Sequence, residues 1–343
     1  MLSSRLMDLI VNIPKAENHI HIEGSIPWEL AFKLAKRNGV KLPVDTVEEM
    51  RKWGAEMIAK DSLNGFMICD RTINSVCQKV EDYEETIVEL ARNASRQNII
   101  YQEYHLDYPL NEERGIPMDV VMEGYRRGKE RALKEFGVDI AYIAGIDRTQ
   151  DPKKGYEFVD ALQKYGDLVE AVGMDCEEKG YPCKDHKEAY DLARERGLFL
   201  TAHAGEDDSD QNVKDAIEIL HVQRIDHGCA ASENPELMKY MAEHKIMCAM
   251  APYGNSIGGH VADNKQHPAK ILMRNGVPVS ISTDDPPYTQ DMIQEYAFML
   301  EQVEITEDEM ITCARNAFEY SIRGQKYLPA FDKWVEEFKK KYE

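Results

Sequence analysis

Short apolar runs and amphipathic segments alternate along almost the whole chain, and this alternation constrains the fold more than any other feature. Runs rich in Ile, Val and Tyr occur at 16–22 (AENHIHI), 98–106 (NIIYQEYHL), 138–146 (VDIAYIAGI) and 168–175 (LVEAVGMD). Four more follow at 198–204 (LFLTAHA), 224–228 (RIDHG), 246–251 (IMCAMA) and 278–284 (PVSISTD). Between them, 117–136, 152–165, 185–197, 209–220, 234–244 and 267–275 carry apolar residues at helical spacing, several ending at a glycine suited to a left-handed stop. The pattern predicts about eight β-α units. A closed (β/α)8 barrel accounts for them better than an open doubly wound sheet, because no GxGxxG follows the first run. At 343 residues the chain suits one such barrel with an insertion. The insertion is expected at about 44–97, where more than one helix separates the first two strands, and it would lie over the barrel mouth as a lid within a single domain spanning 1–343.

Composition enters where it excludes partners. With 62 acidic and 42 basic residues the formal charge is -20, which repels nucleic-acid phosphates and anionic membrane surfaces, so a small neutral or cationic molecule is the expected partner. No window holds the ~20 apolar residues of a membrane span, and the first dozen residues lack a secretory apolar core, so a cytoplasmic protein is predicted. Seven scattered cysteines with no CxxC pair suggest neither a disulfide framework nor a thiolate metal site. The oligomeric state is not encoded in any of these signals.

The chemistry-bearing residues fall where strands should end. His19 and His21 lie two apart on the first strand, so both imidazoles project to one face. The fifth strand ends at His203 and runs into Gly205-Glu206, the sixth ends at Asp226-His227-Gly228, and the eighth at Thr283-Asp284-Asp285. Burying these groups in a barrel without metal or hydrogen-bond partners costs several kcal/mol each. His19, His21, His203 and Asp284 form a three-nitrogen, one-oxygen set suited to a single zinc with an open position for water, whose pKa such a metal lowers to about 7. Glu206 and His227 remain beside it as a proton donor and a base.

At these residues the chain resembles the adenosine and adenine deaminase family of the amidohydrolase superfamily, over about Ile13 to Tyr320. The matching stretches are PKAENHIHIEGS near the start, TAHAGED at 201–207, RIDHG at 224–228 and STDDP at 282–286. The resemblance implies a TIM barrel, one Zn2+ per chain on His19, His21, His203 and Asp284, and hydrolytic deamination at position 6 of a purine, a purine-salvage reaction. It also implies that Glu206 protonates ring nitrogen 1 and that His227 orients or deprotonates the attacking water. By the same resemblance Asp285 holds ring nitrogen 7, and Gly173 is the backbone donor to ring nitrogen 3.

For the substrate, the resemblance implies a purine base or nucleoside. Glu23 in HIHIEG, where adenosine-specific members carry a shorter Asp, and VGMDCEEKGYP at 172–182 both look closer to the adenine-type pattern. A solvated acidic turn is the simple reading of Glu177 and Glu178. Two stretches depart from the family: MAPYGNSIGG at 250–259 replaces CPxSN, keeping Asn255, and EYHLDYP at 103–109 puts His105 where many members have arginine. Neither touches a metal ligand, and both leave room for a modified aminopurine. A two-metal amidohydrolase would need a lysine at the end of strand four, where the chain reads VGMD; a non-catalytic purine-binding regulator would be expected to have lost a ligand or Glu206.

Overall fold

A computed structural model of the chain describes residues 2–343. Eight parallel strands follow one another around a barrel: β1 (Lys15–His21), β2 (Ile99–Leu106), β3 (Asp139–Asp147), β4 (Val169–Asp175), β5 (Phe199–Ala204), β6 (Arg224–His227), β7 (Met247–Met250) and β8 (Val279–Ile281). Each lies within two or three residues of its sequence-derived position. Closure comes from the third residue after β8: His21 N–H donates to the Asp284 carbonyl at 3.1 Å, and Asp284 N–H donates to the His19 carbonyl at 3.2 Å. The seam of the barrel therefore brings Asp284 between the two histidines of β1.

Local chemistry explains the helix boundaries. Asp151 and Asn234 accept N–H bonds from the first turns of Pro152–Ala161 and Pro235–His244, whose leading prolines need no amide partner. Gly137, at φ +71°, ends Met118–Phe136 in the left-handed conformation that side chains resist. Between β1 and β2 lie four helices, Trp28–Asn38, Val47–Lys60, Ser62–Asn74 and Val80–Arg96. The last packs along Met118–Phe136 in the outer ring, whereas Ser62–Asn74 faces the barrel mouth. Among the described residues no helix is long and apolar enough to cross a membrane.

The barrel interior beneath the mouth is polar. Arg224, fully buried, pairs with Glu103, lies 3.0 Å from Asp226 Oδ1 and donates to the Asn18 carbonyl. Glu17 accepts from Thr283 N–H at 3.0 Å and from Gln102 Nε2 at 2.6 Å. Removing one partner of a buried ion pair strands the other charge at a cost of about 3–5 kcal/mol, so this layer acts as a stiff floor for the strand ends above it.

Candidate active site

Four ligand-type atoms converge at the carboxyl ends of β1, β5 and β8. His19 Nε2 and His203 Nε2 are 2.9 Å apart, His21 Nε2 and His203 Nε2 3.1 Å, and Asp284 Oδ1 lies 3.2 Å from His19 Nε2 and 3.5 Å from His21 Nε2. A tetrahedral zinc with bonds of about 2.0–2.1 Å would set its ligand atoms about 3.3–3.4 Å apart. The observed spacings bracket that value, and three imidazole nitrogens turned on one another are otherwise without a reason to meet. The supporting bonds point the same way. His21 Nδ1 donates to Asp107 Oδ2 at 2.9 Å and His19 Nδ1 to the Ala249 carbonyl at 3.2 Å, which leaves both Nε2 lone pairs facing the shared centre. Burial and the neighbouring imidazoles hold His203 well below its ordinary pKa, which favours the neutral ring that a metal needs.

Glu206 and His227 stand beside this cluster, with Glu206 Oε2 3.5 Å from His227 Nε2. Burial, reinforced by the charges of Asp284 and Glu178, pushes Glu206 well above the usual carboxylate range. Burial beside His19 pulls His227 down to about 3. Asn255 Nδ2 donates to His227 Nδ1 at 2.9 Å, which leaves the proton of the neutral ring on Nε2, facing the cavity. The one asparagine kept in the altered MAPYGNSIGG stretch thus sets the tautomer of His227.

The cavity above these groups is bordered by Leu63, Phe66, Met67 and Asp70 of Ser62–Asn74, and on its far wall by Asp107, Asp147, Asp175 and Cys176. Asp285 lines it as well, with its carboxylate against Asp70 across the space left by Gly24, where a Cβ would come within 1.9 Å and 2.6 Å of their oxygens. Among the described residues, no lysine or arginine lines this cavity.

Two sequence-derived substrate contacts are not on its wall. Gly173 lies two residues inside β4, where a Cβ would meet Ile143 at 2.9 Å and His105 at 3.0 Å; the glycine makes room for His105, and β4 reaches the cavity through Asp175 and Cys176 instead. Glu23 is buried outside the cavity, taking bonds from the Tyr125 hydroxyl at 3.0 Å and Asn111 Nδ2 at 3.4 Å. Both bonds go to Oε1, inside that polar nest, while Oε2 has no hydrogen-bond partner. His105, in the place of the family's arginine, is also below the cavity, with Nε2 3.2 Å from Asp226 Oδ2. Glu177 is exposed as expected of a solvated turn, but Glu178 is fully buried.

Sequence reasoning passed over Asp70, Asp107, Asp147 and Asp175. The last three share a signal that was available: each is at or one residue past the end of a strand, the position from which barrel side chains reach the mouth. Asp70 had none, because a single acid on an amphipathic helix reads as a solvated face.

The model of the adenosine deaminase family matches residues 14–329. An adenine deaminase of Zymomonas mobilis is 32% identical over 340 residues, covering 98% of this chain and all of that protein. One from Ralstonia pickettii is 33% identical, covering 97% and 95%. Among solved structures, an adenine deaminase from Arthrobacter aurescens superposes with a TM-score of 0.89 at 27% identity, covering 94% of this chain and 99% of that one. An amidohydrolase from Burkholderia ambifaria, solved with bound zinc, shares the fold at a TM-score of 0.88 and 24% identity, covering 98% and 96%.

Proposed function

The chain belongs to the adenosine deaminase family and is an enzyme of that family, and from this premise we propose that it hydrolyses adenine to hypoxanthine and ammonia with one zinc per chain. The observation that carries the reading is the convergence of His19, His21, His203 and Asp284 at the base of a cavity whose wall includes Glu206. The donor set, its spacing and the bonds on the two Nδ1 atoms fit zinc. A zinc held by these four residues would supply a water activated near neutral pH.

The chain's own residues do the rest. Glu206, whose burial favours its protonated form, delivers a proton to ring nitrogen 1, which draws electron density from C6. His227, with its proton on Nε2, donates to the incoming water and aims its oxygen at C6. On this geometry it orients the water rather than deprotonating it. Asp285, on the same wall, is the partner for ring nitrogen 7. As the C6–O bond forms, the water gives up two protons, one returning to Glu206 in place of the proton delivered to ring nitrogen 1 and one going to the exocyclic nitrogen, and the C6–N bond breaks to release ammonia, so adenine and one water give hypoxanthine and ammonia. The helix Ser62–Asn74 covers the cavity and keeps bulk water from the reacting carbon. In a cell this reaction returns adenine to purine salvage, in the cytoplasm.

A second reading, deamination of adenosine or a modified aminopurine, draws on one observation. The cavity runs on to Asp107, Asp147 and Asp175, and Glu23 does not reach into the space a ribose would fill. Ammonia release from adenine, adenosine, deoxyadenosine, methylthioadenosine and N6-substituted purines decides between the two. The highest kcat/KM on adenine is expected; a higher value on any other compound refutes the adenine assignment.

A further inference from the structure

One fully buried acid outside the cavity wall has a set of partners that the reaction above does not use. Glu178 leaves the loop after β4 and crosses to the loop after β5, where its carboxylate accepts four consecutive backbone N–H groups. Gly205 N–H donates to Oε1 at 2.8 Å; Glu206, Asp207 and Asp208 N–H donate to Oε2 at 2.7, 3.0 and 3.3 Å. Gly205, at φ +67°, starts the turn that points these amides one way, and a Cβ there would meet Val213 at 2.7 Å. Such a row of amides is a ready cradle for an anion. Arg148, itself fully buried, lies 3.3 Å from Glu178 Oε1 and offsets the cost of keeping the charge away from water.

We propose that Glu178 is a positioning residue for the deamination: by gripping the 205–208 backbone it holds the Glu206 carboxyl at the point in the cavity where a ring nitrogen is to be protonated. The inference rests on the reading of Glu206 as the proton donor. Its geometric basis is that the shortest of the four bonds goes to the amide of Glu206 itself, with the amides on both sides held by the same carboxylate. The backbone of the acid is thereby clamped, and its side chain reaches within 3.5 Å of His227. A turn whose only need was hydrogen bonding could have been satisfied by water at the surface. A buried carboxylate brought from the neighbouring loop, with its own buried arginine, adds the fixed geometry that water does not. The negative charge of Glu178 also favours the protonated form of Glu206.

The test is a double-mutant cycle on the zinc-loaded full chain, using adenine or the best substrate found above. Glu178→Gln alone strands the Arg148 charge, so it is paired with Arg148→Met, which leaves no uncompensated ion. The pair is expected to keep its zinc and to hold KM within about threefold while kcat falls by about 10- to 100-fold, the scale of an ångström-level misplacement. In the Glu206→Gln background the same pair should cost less than about threefold, because there is no longer a proton donor to aim. Amide hydrogen exchange across 205–208 should rise in the pair without substrate, a readout that needs no turnover. Equal losses in both backgrounds, no loss in the first, or unchanged exchange would overturn the proposal. Near wild-type turnover of Glu206→Gln alone would instead refute the reading of Glu206, and with it the need for a device that aims it.

Discussion

Gly145, on β3, has no chemical role, yet its substitution by alanine should weaken metal binding. A Cβ built at this position would lie 2.2 Å from Asp107 Oδ1 and 2.6 Å from Asp175 Oδ2, while contacts below about 3.0 Å are not tolerated. The backbone is not at fault, since Gly145 is not among the positive-φ glycines. The carboxylate of Asp107 must therefore retreat by roughly 1 Å to restore van der Waals contact, or rotate. Its other oxygen is the one that receives His21 Nδ1 at 2.9 Å, and either movement takes that bond beyond hydrogen-bond range. A charge-assisted hydrogen bond contributes about 1.5–3 kcal/mol, which converts to about 10- to 100-fold in affinity, the range seen when the partner of a metal-ligating histidine is lost. Competition against a chelator of known affinity measures this directly. Circular dichroism and Tm of the metal-free protein separate it from a folding defect. A Gly145→Ala enzyme that binds zinc as tightly as wild type would refute the link from Gly145 through Asp107 to His21.

Three other outcomes follow from the same geometry. His19→Ala or Asp284→Ala should abolish both bound zinc and activity, and elemental analysis of the wild type should find about one zinc per chain; two per chain would contradict the mononuclear assignment. Glu206→Gln should retain zinc and lose at least ~100-fold in kcat. Because Glu206 works in its protonated form, wild-type activity should fall as pH rises through its elevated pKa, a limb that a pH–rate profile of the variant should lack. Glu23→Asp should leave the ratio of kcat/KM for adenine and adenosine within about threefold and lower stability by about 1–3 kcal/mol, since the shortened acid abandons Tyr125 and Asn111 inside the protein; a shift toward adenosine would put Glu23 back in contact with substrate.

Much of the centre was legible before any coordinates. The two-residue spacing of His19 and His21 dictates a shared face on a strand, and His203, His227 and Asp284 each close a β-type run, so a barrel must gather them at one end. Other positions were not legible in this way. The family motif implies a backbone contact for Gly173, and in the structure β4 borders the cavity at Asp175, two residues further along. Glu178 and Glu177 are indistinguishable as letters, yet one is fully buried under four amides and the other lies in solvent. Burial of a lone acid depends on what a neighbouring loop offers it, and that partner is 27 to 30 residues away in the chain.

The sequence by itself determined the order of strands and helices, the parallel barrel and the identity of the four ligand-type residues, because periodicity and strand-end position are local properties. Only the tertiary structure decided which atoms meet. The pairing of Asp107 with His21, of Asn255 with His227 and of Glu178 with the 205–208 turn each joins separate loops across the barrel mouth. Such contacts are set by the closure of the sheet, which is made by two backbone bonds between β1 and Asp284, and no stretch of residues read alone contains that distance.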